Sequence, residues 1–402
     1  MPKATLRDIE LQNKRLFIRV DFNVPLNEAR EVRNDTRIRA ALPTITYAIN
    51  HGASVILASH LGRPRGKVEA GLSLQPVAVY LEKLLGLSVR FASDCIGDEV
   101  ETMARVLQPG QVMMLENLRF HPEEEKNDPD FAKALAGLAD VYVNDAFGTA
   151  HRAHASTAGM TQYLQPAVAG LLMDTELRHL SQITEQPEQP FVAILGGAKV
   201  SDKIPLINNL LDKVSSLVLG GAMAYTLLKA QGYAIGNSLV EEDYVPMAQE
   251  LLDKAAERQV QFALPCDHVI AQAAEADATT RTVGDEGIPD GWMGLDIGHQ
   301  SVTRFRDIVT LAKTVVWNGP MGMFELEPFR QGTLDVARAV AACKGTTVVG
   351  GGDTLSALAL TDCSESITHI STGGGATLEF LEGKVLPGVA CLTDSEALSR
   401  NG

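Results

Sequence analysis

The sequence predicts an α/β protein with two doubly wound parallel-sheet (Rossmann-like) domains joined by a helical hinge. Short apolar runs of strand length alternate with helix-length segments along both halves of the chain, and glycine or polar clusters follow many of these runs. The length agrees, because 402 residues at about 150 residues per domain correspond to two or three domains. A hydrophobic content of 45% is sufficient for their cores.

The first half of the chain contains strand-like runs and helix-length segments in alternation. Strands are expected at Arg15–Val20, Ser54–Ser59, Ser88–Ala92, Gln111–Leu115 and Asp140–Asn144. Helices are expected at Arg37–His51, Leu74–Leu85 and Asp98–Leu107. Because a helix between consecutive strands allows them to pair in parallel, these units predict a parallel sheet.

Polar clusters that contain arginine or histidine follow four of these strands. They are RVDFN at 19–23, SHLGR at 59–63, ENLRFH at 116–121 and NDAFGTAHR at 144–152. The carboxyl ends of parallel strands share one edge of a sheet, so the clusters predict a basic pocket. A single arginine after a strand is more often a solvated or capping group, and the coincidence across four loops is what favours a site. Guanidinium groups suit phosphate or carboxylate, which they bind through two parallel hydrogen bonds.

Several residues in these loops have individual predictions. Asp21 and Asn23 alternate on a strand-like segment, which directs both side chains to the same crevice. The run at 123–125 is interpreted as a solvated charge run that opens a helix, where acidic groups suit the helix dipole. Three further residues are left to the rim or to ordinary loops: His121, His154 and Arg65.

A helix followed by a stop signal separates the halves. Residues 168–184 (VAGLLMDTELRHLSQIT) have apolar residues at helical spacing, and EQPEQP at 185–190 ends the pattern. The predicted organisation is a first domain over 1–170, an interdomain helix over 171–186, a second domain over 187–385, and a carboxy-terminal segment over 386–402 that returns to the first domain.

The second half repeats the alternation of strands and helices. Strands are predicted near 191–195, 215–219, 260–264, 314–317, 346–350 and 367–371. Helices include Ile204–Leu211 and Glu241–Arg258. Residues 271–293 are rich in Asp, Thr and Gly and are interpreted as an irregular surface excursion.

Four strands of this half lead into glycine turns. The turns are LGGAK at 195–199, LGGAM at 219–223, GGGDT at 350–354 and STGGGA at 371–376. Glycine lets backbone N–H groups approach a ligand, and the four turns are expected to converge on one crevice suited to a nucleotide. The phosphate loop G-x-x-x-x-G-K-[ST] is absent, and no strand–turn–helix has a clean G-x-G-x-x-G.

Two lysines follow the first of these turns. If a helix begins near Ala198, then Lys199 and Lys203 lie on one face of its first turns, where backbone donors also favour negative charge. The run WNGP at 317–320, with Glu325 shortly after it, is expected to border the same crevice.

Charge and cysteine content exclude several classes of protein. The net charge of −15, from 35 Lys and Arg and 50 Asp and Glu, argues against nucleic acids or membrane surfaces as partners. The five cysteines are odd in number and lack a C-x-x-C pair, which disfavours a disulfide framework or a zinc site. The charged amino-terminal stretch and the absence of apolar runs approaching 18 residues favour a cytoplasmic protein.

Taken together, the motifs of both halves resemble those of the phosphoglycerate kinase family, essentially from end to end and in the family's order. They are RVDFNVP at 19–25, RIRAALPTI at 37–45, SHLGRP at 59–64, ENLRFH at 116–121, NDAFGTAHRAH at 144–154, LGGAKVSDK at 195–203, VWNGPMGMFE at 316–325, GGGDT at 350–354 and STGGGA at 371–376. Two positions depart from the family pattern: Ala222 replaces a usual glycine, and His299 stands where proline is frequent.

The resemblance implies two ligand sites. The residues implied for 3-phosphoglycerate are Asp21, Asn23, Arg37, His60, Arg63, Arg119 and Arg152. Those implied for ADP or ATP are Gly196, Gly197, Gly220, Gly221, Leu295, Asn318, Pro320 and Glu325 around adenine and ribose, with Lys203, Gly351, Gly352, Asp353 and Thr354 toward the phosphates and Mg²⁺. Residues implied around the transferred phosphoryl group are Lys199, Gly373, Gly374 and Gly375.

The implied reaction is reversible phosphoryl transfer between ATP and the carboxylate of 3-phosphoglycerate, which gives 1,3-bisphosphoglycerate. A carboxylate with a pKa of about 4 is already ionised at neutral pH, so no general base is needed. The catalytic demand is electrostatic and is assigned to Arg37, Lys199, Lys203 and the amides of 373–375, with Asp353 as the metal ligand. In-line transfer by a monomer further requires hinge closure, for which 168–184 and the segment near Gly373 are candidates.

Two alternative functions differ in their chemistry. A two-domain binding protein would clamp an anionic metabolite without turnover, and the paired lysines together with Asp353 argue against it. Another carboxylate kinase would use a different acceptor, and the SHLGRP and HRAH motifs disfavour it.

Overall fold

The structure is a computed structural model and describes residues 2–399. His179–Lys384 form one compact unit, called unit 2, and the described residues on either side of it form unit 1. The chain passes from unit 1 to unit 2 within the helix Leu171–Glu185. Each unit contains a six-stranded parallel sheet with helices, which confirms the predicted fold class.

The sheet of unit 1 has the strand order β3-β4-β2-β1-β5-β6, and its neighbouring strands pair in parallel. Its strands are β1 Arg15–Arg19, β2 Ser54–Ala58, β3 Val89–Phe91, β4 Val112–Met114, β5 Val141–Asn144 and β6 Ala167–Ala169. The helices of the first part of the chain are α1 Thr36–Asn50, α2 Gln75–Leu85, α3 Asp98–Arg105, α4 Pro122–Glu125, α5 Pro129–Ala136 and α6 Leu171–Glu185.

Packing on both faces explains why these segments adopt their structures. In β1, consecutive residues Leu16, Phe17 and Ile18 are all fully buried, as expected for a parallel strand covered by helices on both sides. α1 directs Ile38 and Ile45 into the same core at helical spacing. The packed sheet therefore fixes the positions of the residues at its carboxyl edge.

The carboxy-terminal segment packs against the rest of unit 1. It contains α14 Pro387–Ala390 and α15 Ser395–Ser399. Leu386 and Leu392 are 2% and 3% exposed. The backbone N–H groups of Ala4 and Gly388 donate to Thr393 and Ala150, each at 2.8 Å.

The large sheet of unit 2 has the order β15-β14-β13-β7-β8-β9, again with parallel pairs. Its strands are β7 Phe191–Leu195, β8 Ser216–Leu219, β9 Gln261–Ala263, β13 Thr314–Asn318, β14 Thr346–Gly350 and β15 His369–Ile370. The helices are α7 Ile204–Leu210, α8 Met223–Ala230, α9 Val245–Glu257, α10 His299–Thr310, α11 Gln331–Ala342, α12 Gly352–Leu358 and α13 Gly375–Leu381.

Unit 2 also contains a small antiparallel sheet. It has the order β11-β10-β12, with β10 His268–Ala271, β11 Arg281–Val283 and β12 Met293–Ile297. The interpretation of 271–293 as irregular is therefore wrong in part, because β11 lies inside that range. Residues 281 and 282 of β11 are exposed, so the apolar alternation that signals a strand is lacking.

No helix within residues 2–399 has both the length and the apolar composition needed to cross a membrane.

Candidate active site

The four arginine- and histidine-containing loops of unit 1 follow adjacent strands. They come after β4, β2, β1 and β5, which are consecutive in the sheet. The structure thus brings these loops to one edge, and their contacts show which side chains meet there.

Arg37 connects three segments at this edge. Its Nη1 lies 3.1 Å from Asp21 Oδ2 and donates to the Asn23 carbonyl at 3.0 Å. Asn23 Oδ1 in turn accepts from the Gly62 N–H at 2.9 Å. Residues 21–23 lie beyond the end of β1 rather than on a strand, so it is these contacts, and not strand alternation, that bring Asp21 and Asn23 together. The Arg37 side chain remains 39% exposed and accessible to a ligand.

Arg119 is much more deeply placed. Its side chain is 6% exposed, its Nη1 donates to the Gly62 carbonyl at 3.0 Å, and its Nε lies 3.3 Å from Glu125 Oε1. Burial lowers the pKa of this guanidinium, and the positive charges of Arg19 and Arg152 act in the same direction, while Glu125 opposes them. Arg119 therefore belongs to a cluster of like charges.

Two histidines lie within the same cluster. Burial lowers the pKa of His60 well below its ordinary value, and the charges of Arg19, Arg119 and Arg37 lower it further. Burial likewise lowers the pKa of His154 to about 4, with Arg19, Arg119 and Arg152 contributing. The structure thus places His154 with the arginines, although the sequence leaves it to the rim or an ordinary loop.

The remaining predicted side chains of this edge are more peripheral. Arg152 is exposed, and its Nε donates to His151 Nε2 at 3.2 Å. Arg63 is exposed and forms no hydrogen bond or ion pair with another described residue. His121 pairs with Asp94, with 2.6 Å between Nε2 and Oδ1.

Glu124 and Arg19 have positions that the sequence analysis missed. Glu124 is fully buried in α4, so the interpretation of 123–125 as a solvated run is wrong for its central residue. Arg19 ends the apolar strand β1 and is 1% exposed. A charge at the end of an apolar strand is the sequence signal that could have identified Arg19, because burying an unpaired charge is costly. The run of three acids carries no comparable signal for Glu124.

In unit 2, the loops after five adjacent strands meet at one edge, in the order β8, β7, β13, β14 and β15. The loops after β7, β13, β14 and β15 line a cavity of about 450 Å³, called cavity A. The predicted site residues that line cavity A are Gly196, Gly197, Lys199, Lys203, Asn318, Pro320, Gly351, Gly352, Asp353, Thr354, Gly374 and Gly375. The convergence expected of the glycine turns is therefore present for three of the four, and the fourth lines a neighbouring cavity.

That neighbouring cavity, called cavity B, has a volume of about 320 Å³. It is lined by the predicted residues Gly221, Leu295 and Glu325, and by apolar side chains that include Leu239 and Met321. Four residues line both cavities: Gly197, Ala198, Pro320 and Asp353.

Two predicted site residues, Gly220 and Gly373, are not among the residues that line cavity A or cavity B. A Cβ atom on Gly220 would lie 2.5 Å from Met321 Sδ, and the buried Gly373 donates its N–H to Ser371 Oγ at 3.2 Å.

Lys203 is fixed to the end of β13. Its Nζ donates to Asn318 Oδ1, and Asn318 Nδ2 donates to the Gly350 carbonyl at 2.9 Å. Burial lowers the pKa of Lys203, while the negative charges of Asp202, Glu382 and Asp353 act in the opposite direction. The ammonium group is thus oriented by an amide that is itself fixed to the next strand.

The helix after β7 begins at Ile204, so the conditional expectation of a helix from Ala198 is wrong. Residues 198–200 are irregular and 201–203 form a turn, and the backbone N–H and hydroxyl of Ser201 donate to the Glu241 carboxylate at 2.9 and 2.6 Å. Because Glu241 satisfies this N–H from outside, the segment does not need helical hydrogen bonds. Lys199 consequently lies exposed before the turn, whereas Lys203 precedes the helix directly.

Glycine is required where β7 and β13 end side by side. A Cβ atom on Gly196 would lie 2.0 Å from the Pro320 carbonyl oxygen, and one on Gly319 would lie 2.2 Å from that of Gly196. Both obstructing atoms belong to the backbone, so they cannot move aside as a side chain would. The floor of cavity A therefore depends on two backbones in direct contact.

Comparison with known proteins yields a family assignment. The sequence profile described as "Phosphoglycerate kinase" matches residues 6–384. The chain belongs to the phosphoglycerate kinase family.

Curated relatives and solved structures agree with this assignment. The chain is 61% identical to a phosphoglycerate kinase of Moorella thermoacetica over 98% of this chain and all of the relative. The structure of phosphoglycerate kinase from Coxiella burnetii is similar, with a TM-score of 0.90, 43% identity and full coverage of both chains. That of the Pyrococcus horikoshii enzyme has a TM-score of 0.84 at 31% identity, and covers 99% of this chain and all of that one.

As a member of this family, the chain is a phosphotransferase with a carboxyl group as acceptor. That chemistry needs no general base, because the accepting carboxylate is ionised before it reacts. ATP and ADP are the family's nucleotide substrates.

Proposed function

We propose that the loop edge of unit 1 binds 3-phosphoglycerate or 1,3-bisphosphoglycerate, and that cavities A and B of unit 2 bind ATP or ADP. The residues assigned to 3-phosphoglycerate are Asp21, Asn23, Arg37, His60, Arg63, Arg119 and Arg152. Those assigned to the nucleotide are Gly196, Gly197, Lys203, Gly220, Gly221, Leu295, Asn318, Pro320, Glu325, Gly351, Gly352, Asp353 and Thr354.

The observation that carries the nucleotide assignment is the junction of the two cavities. Cavity A contains Lys199 and Lys203, which suit phosphate oxygens, whereas cavity B has the apolar lining that suits a base. Asp353 lies where the two cavities meet. A nucleotide has the same division into an apolar base and an anionic tail.

Asp353 is the residue proposed to hold Mg²⁺. Mg²⁺ is usually bound through one or two carboxylates together with phosphate oxygens, and Asp353 is an exposed carboxylate that lines the cavity containing the lysines. The residues present therefore fit the ion. When bound, Mg²⁺ neutralises charge on the phosphate oxygens.

The transfer step is proposed to depend on cationic and amide donors. Arg37 orients the attacking carboxylate, Lys199 and Lys203 contact oxygens of the moving phosphoryl group, and the amides of 373–375 add hydrogen-bond donors. These groups act because negative charge spreads over the phosphoryl oxygens in the transition state. Direct transfer also requires that the bound substrates be brought together, and we propose that a monomer does so through a hinge motion.

A coupled assay for ATP-dependent consumption of 3-phosphoglycerate tests the activity directly. We expect turnover with 3-phosphoglycerate and none with acetate. Binding of 3-phosphoglycerate without turnover would instead favour the binding-protein alternative, and turnover of acetate would favour another carboxylate kinase.

Titration calorimetry tests the proposed location of the substrate. We expect Arg119→Met to weaken 3-phosphoglycerate binding at least tenfold, because a nearly buried guanidinium is lost, and to leave ADP binding unchanged. Arg105→Met, which alters an exposed residue at the end of α3, is the matched control. Equal affinity of the Arg119 variant and the control for 3-phosphoglycerate would contradict the proposed site.

A further inference from the structure

Arg19 is a buried cation whose guanidinium has three partners. Nε donates to Ser156 Oγ at 2.9 Å, Nη1 donates to the Val20 carbonyl, and Nη2 lies 3.2 Å from His60 Nδ1. A charge that is 1% exposed persists only when its donors are satisfied and an opposite charge lies close by.

Glu124 supplies that opposite charge through Ser156. Its Oε1 accepts from Ser156 Oγ at 2.5 Å, and its Oε2 accepts from the Ser156 N–H at 2.9 Å. A guanidinium cannot accept a hydrogen bond, so the hydroxyl proton of Ser156 is directed to Glu124. A lone pair of Ser156 Oγ accepts the hydrogen bond from Arg19. Arg19 therefore donates to Ser156, and Ser156 donates to Glu124, so that both hydrogen bonds run in the same direction.

The same argument fixes the proton of His60. Arg19 Nη2 can only donate, so His60 Nδ1 must accept, and an imidazole that accepts at Nδ1 is neutral with its proton on Nε2. His60 Nε2 has no hydrogen-bond partner within residues 2–399, and the residue keeps 4% of its surface exposed. The Nε2–H group is thus the free donor of the ring.

The charges around His60 agree with this state. Arg19 contacts the ring, and the charges of Arg119 and Arg37 act on it in the same direction, as does His154, whose Nδ1 lies 3.9 Å from Glu124 Oε1. Another positive charge on the ring would be repelled by three guanidinium groups. A neutral donor can contact an anion without that repulsion.

We propose that Glu124, Ser156 and Arg19 are positioning residues that hold His60 as a neutral Nε2–H donor to the anionic ligand of unit 1. This deepens the proposed function, since it rests on the binding of 3-phosphoglycerate at unit 1. The three residues act through His60 and need not touch the ligand.

Nuclear magnetic resonance on the full chain, labelled with ¹⁵N-histidine, tests the proposal without any substitution in the chain of hydrogen bonds. The His60 cross-peaks, assigned by their loss in His60→Gln, are expected to show the Nε2–H tautomer from pH 6 to pH 8. Addition of 3-phosphoglycerate is expected to shift the Nε2 resonance. A ring protonated on Nδ1, a cationic ring at pH 7, or an Nε2 resonance unchanged at saturating 3-phosphoglycerate would each overturn the proposal.

Ser156→Ala and Arg19→Lys test the positioning role. Ser156→Ala removes the link between Arg19 and Glu124, and Arg19→Lys keeps the charge but cannot span both Ser156 and His60. We expect both variants to show a mixture of His60 tautomers, with KM for 3-phosphoglycerate raised roughly tenfold and kcat within about twofold of the original.

Thr161→Val is the matched control. Thr161 is 5% exposed in the same stretch of chain, but its hydroxyl donates to the nearby Ala158 carbonyl at 2.7 Å. We expect it to affect folding stability and to leave the His60 tautomer and KM unchanged. If the control shifts both as much as Ser156→Ala does, the effect is one of stability and the positioning role is refuted. Absence of turnover in the unsubstituted protein would instead refute the proposed function. That outcome is distinguishable from failure of the positioning role, because the His60 tautomer is measured without substrate.

Discussion

The two sheet edges use different parts of the chain to present charge. In unit 1, guanidinium and imidazole groups contact one another, as Arg19 and His60 do, and Ser156 links Arg19 to the buried acid Glu124. In unit 2, much of the edge is backbone, with close contacts such as that of Gly196 with Pro320, and with Lys199 and Asp353 exposed. A rigid array of side chains suits a small ligand of fixed shape, and a backbone-lined cavity suits the longer nucleotide. The structural effects of a substitution should therefore extend to neighbouring side chains in unit 1 and stay local in unit 2.

The largest effect is expected for Lys203→Ala. The substitution removes an oriented cation from cavity A, so turnover should fall by two or more orders of magnitude, or about 3–4 kcal/mol of transition-state stabilisation, with ADP affinity within a few-fold. Steady-state kinetics and ADP titration measure both quantities. The control is Lys313→Ala, an exposed residue just before the opposite end of β13. Turnover within tenfold of the original would contradict the assigned role.

The buried acid Asp145 of unit 1 should give stability a characteristic pH dependence. Burial raises its pKa to about 6, although the N–H groups of Leu172 and Met173 favour the carboxylate. The folded chain then retains a proton that the unfolded chain, with a pKa of about 3.9, has lost. The free energy of unfolding contributed by this group is complete below about pH 4 and falls as the pH rises to about 6.

Asp145→Asn should abolish that fall, which is on the order of 3 kcal/mol. Urea denaturation of both chains between pH 4 and pH 7 measures it. Asp140→Asn is an informative counterpart, because a hydrogen bond from Arg15 lowers the pKa of Asp140 and gives its contribution the opposite slope. Parallel curves for the original chain and the Asp145 variant would show that this acid does not titrate as expected.

Arg37→Ala should separate turnover from affinity in unit 1. Arg37 is half-exposed and assigned to the reacting carboxylate, so we expect kcat to fall roughly ten- to a hundredfold, and by more than the affinity for 3-phosphoglycerate. Arg39→Ala, on an exposed residue of the same helix, is the control. An equal loss in both quantities would make Arg37 a binding residue only.

Gly196→Ala should damage unit 2 through the backbone alone. Its Cβ would lie 2.0 Å from the Pro320 carbonyl oxygen, so we expect a loss of about 1–3 kcal/mol of stability together with weaker ADP binding. At Gly352 a Cβ has no atom within 4 Å, so Gly352→Ala tests whether the contact is responsible. If denaturation and titration give the same values for the two variants, the backbone contact is not the cause.

The smallest effect is expected for Ala222→Gly, which restores the family's usual glycine. Ala222 has φ −64° and ψ −26°, a conformation open to any residue, so the glycine confers no local advantage. We expect stability to fall by about 0.5–1 kcal/mol, because the unfolded chain gains freedom, with ADP affinity unchanged. A stability gain in thermal denaturation would show that the alanine is strained.

The sequence was informative where structure follows from local pattern. The strands of both parallel sheets were predicted except β6, whose three residues, Ala167–Ala169, are too few for a periodic signal. The helix after β7 was expected too early, because Glu241, distant in sequence, binds the Ser201 N–H. Glu124 looked solvated because its partner Ser156 lies 32 residues away. Loop motifs thus predicted which edges carry the sites, whereas burial and long-range hydrogen bonds could be seen only in the fold.

The carboxy-terminal segment has a consequence for the order in which the two units refold from the unfolded chain. Unit 2 is continuous from His179 to Lys384, whereas unit 1 also contains Leu386, Leu392 and the hydrogen bond from Ala4 to Thr393. That bond closes a loop of nearly the whole chain, and bringing such distant residues together costs conformational entropy. We therefore expect the last contacts of unit 1 to form more slowly than those within unit 2.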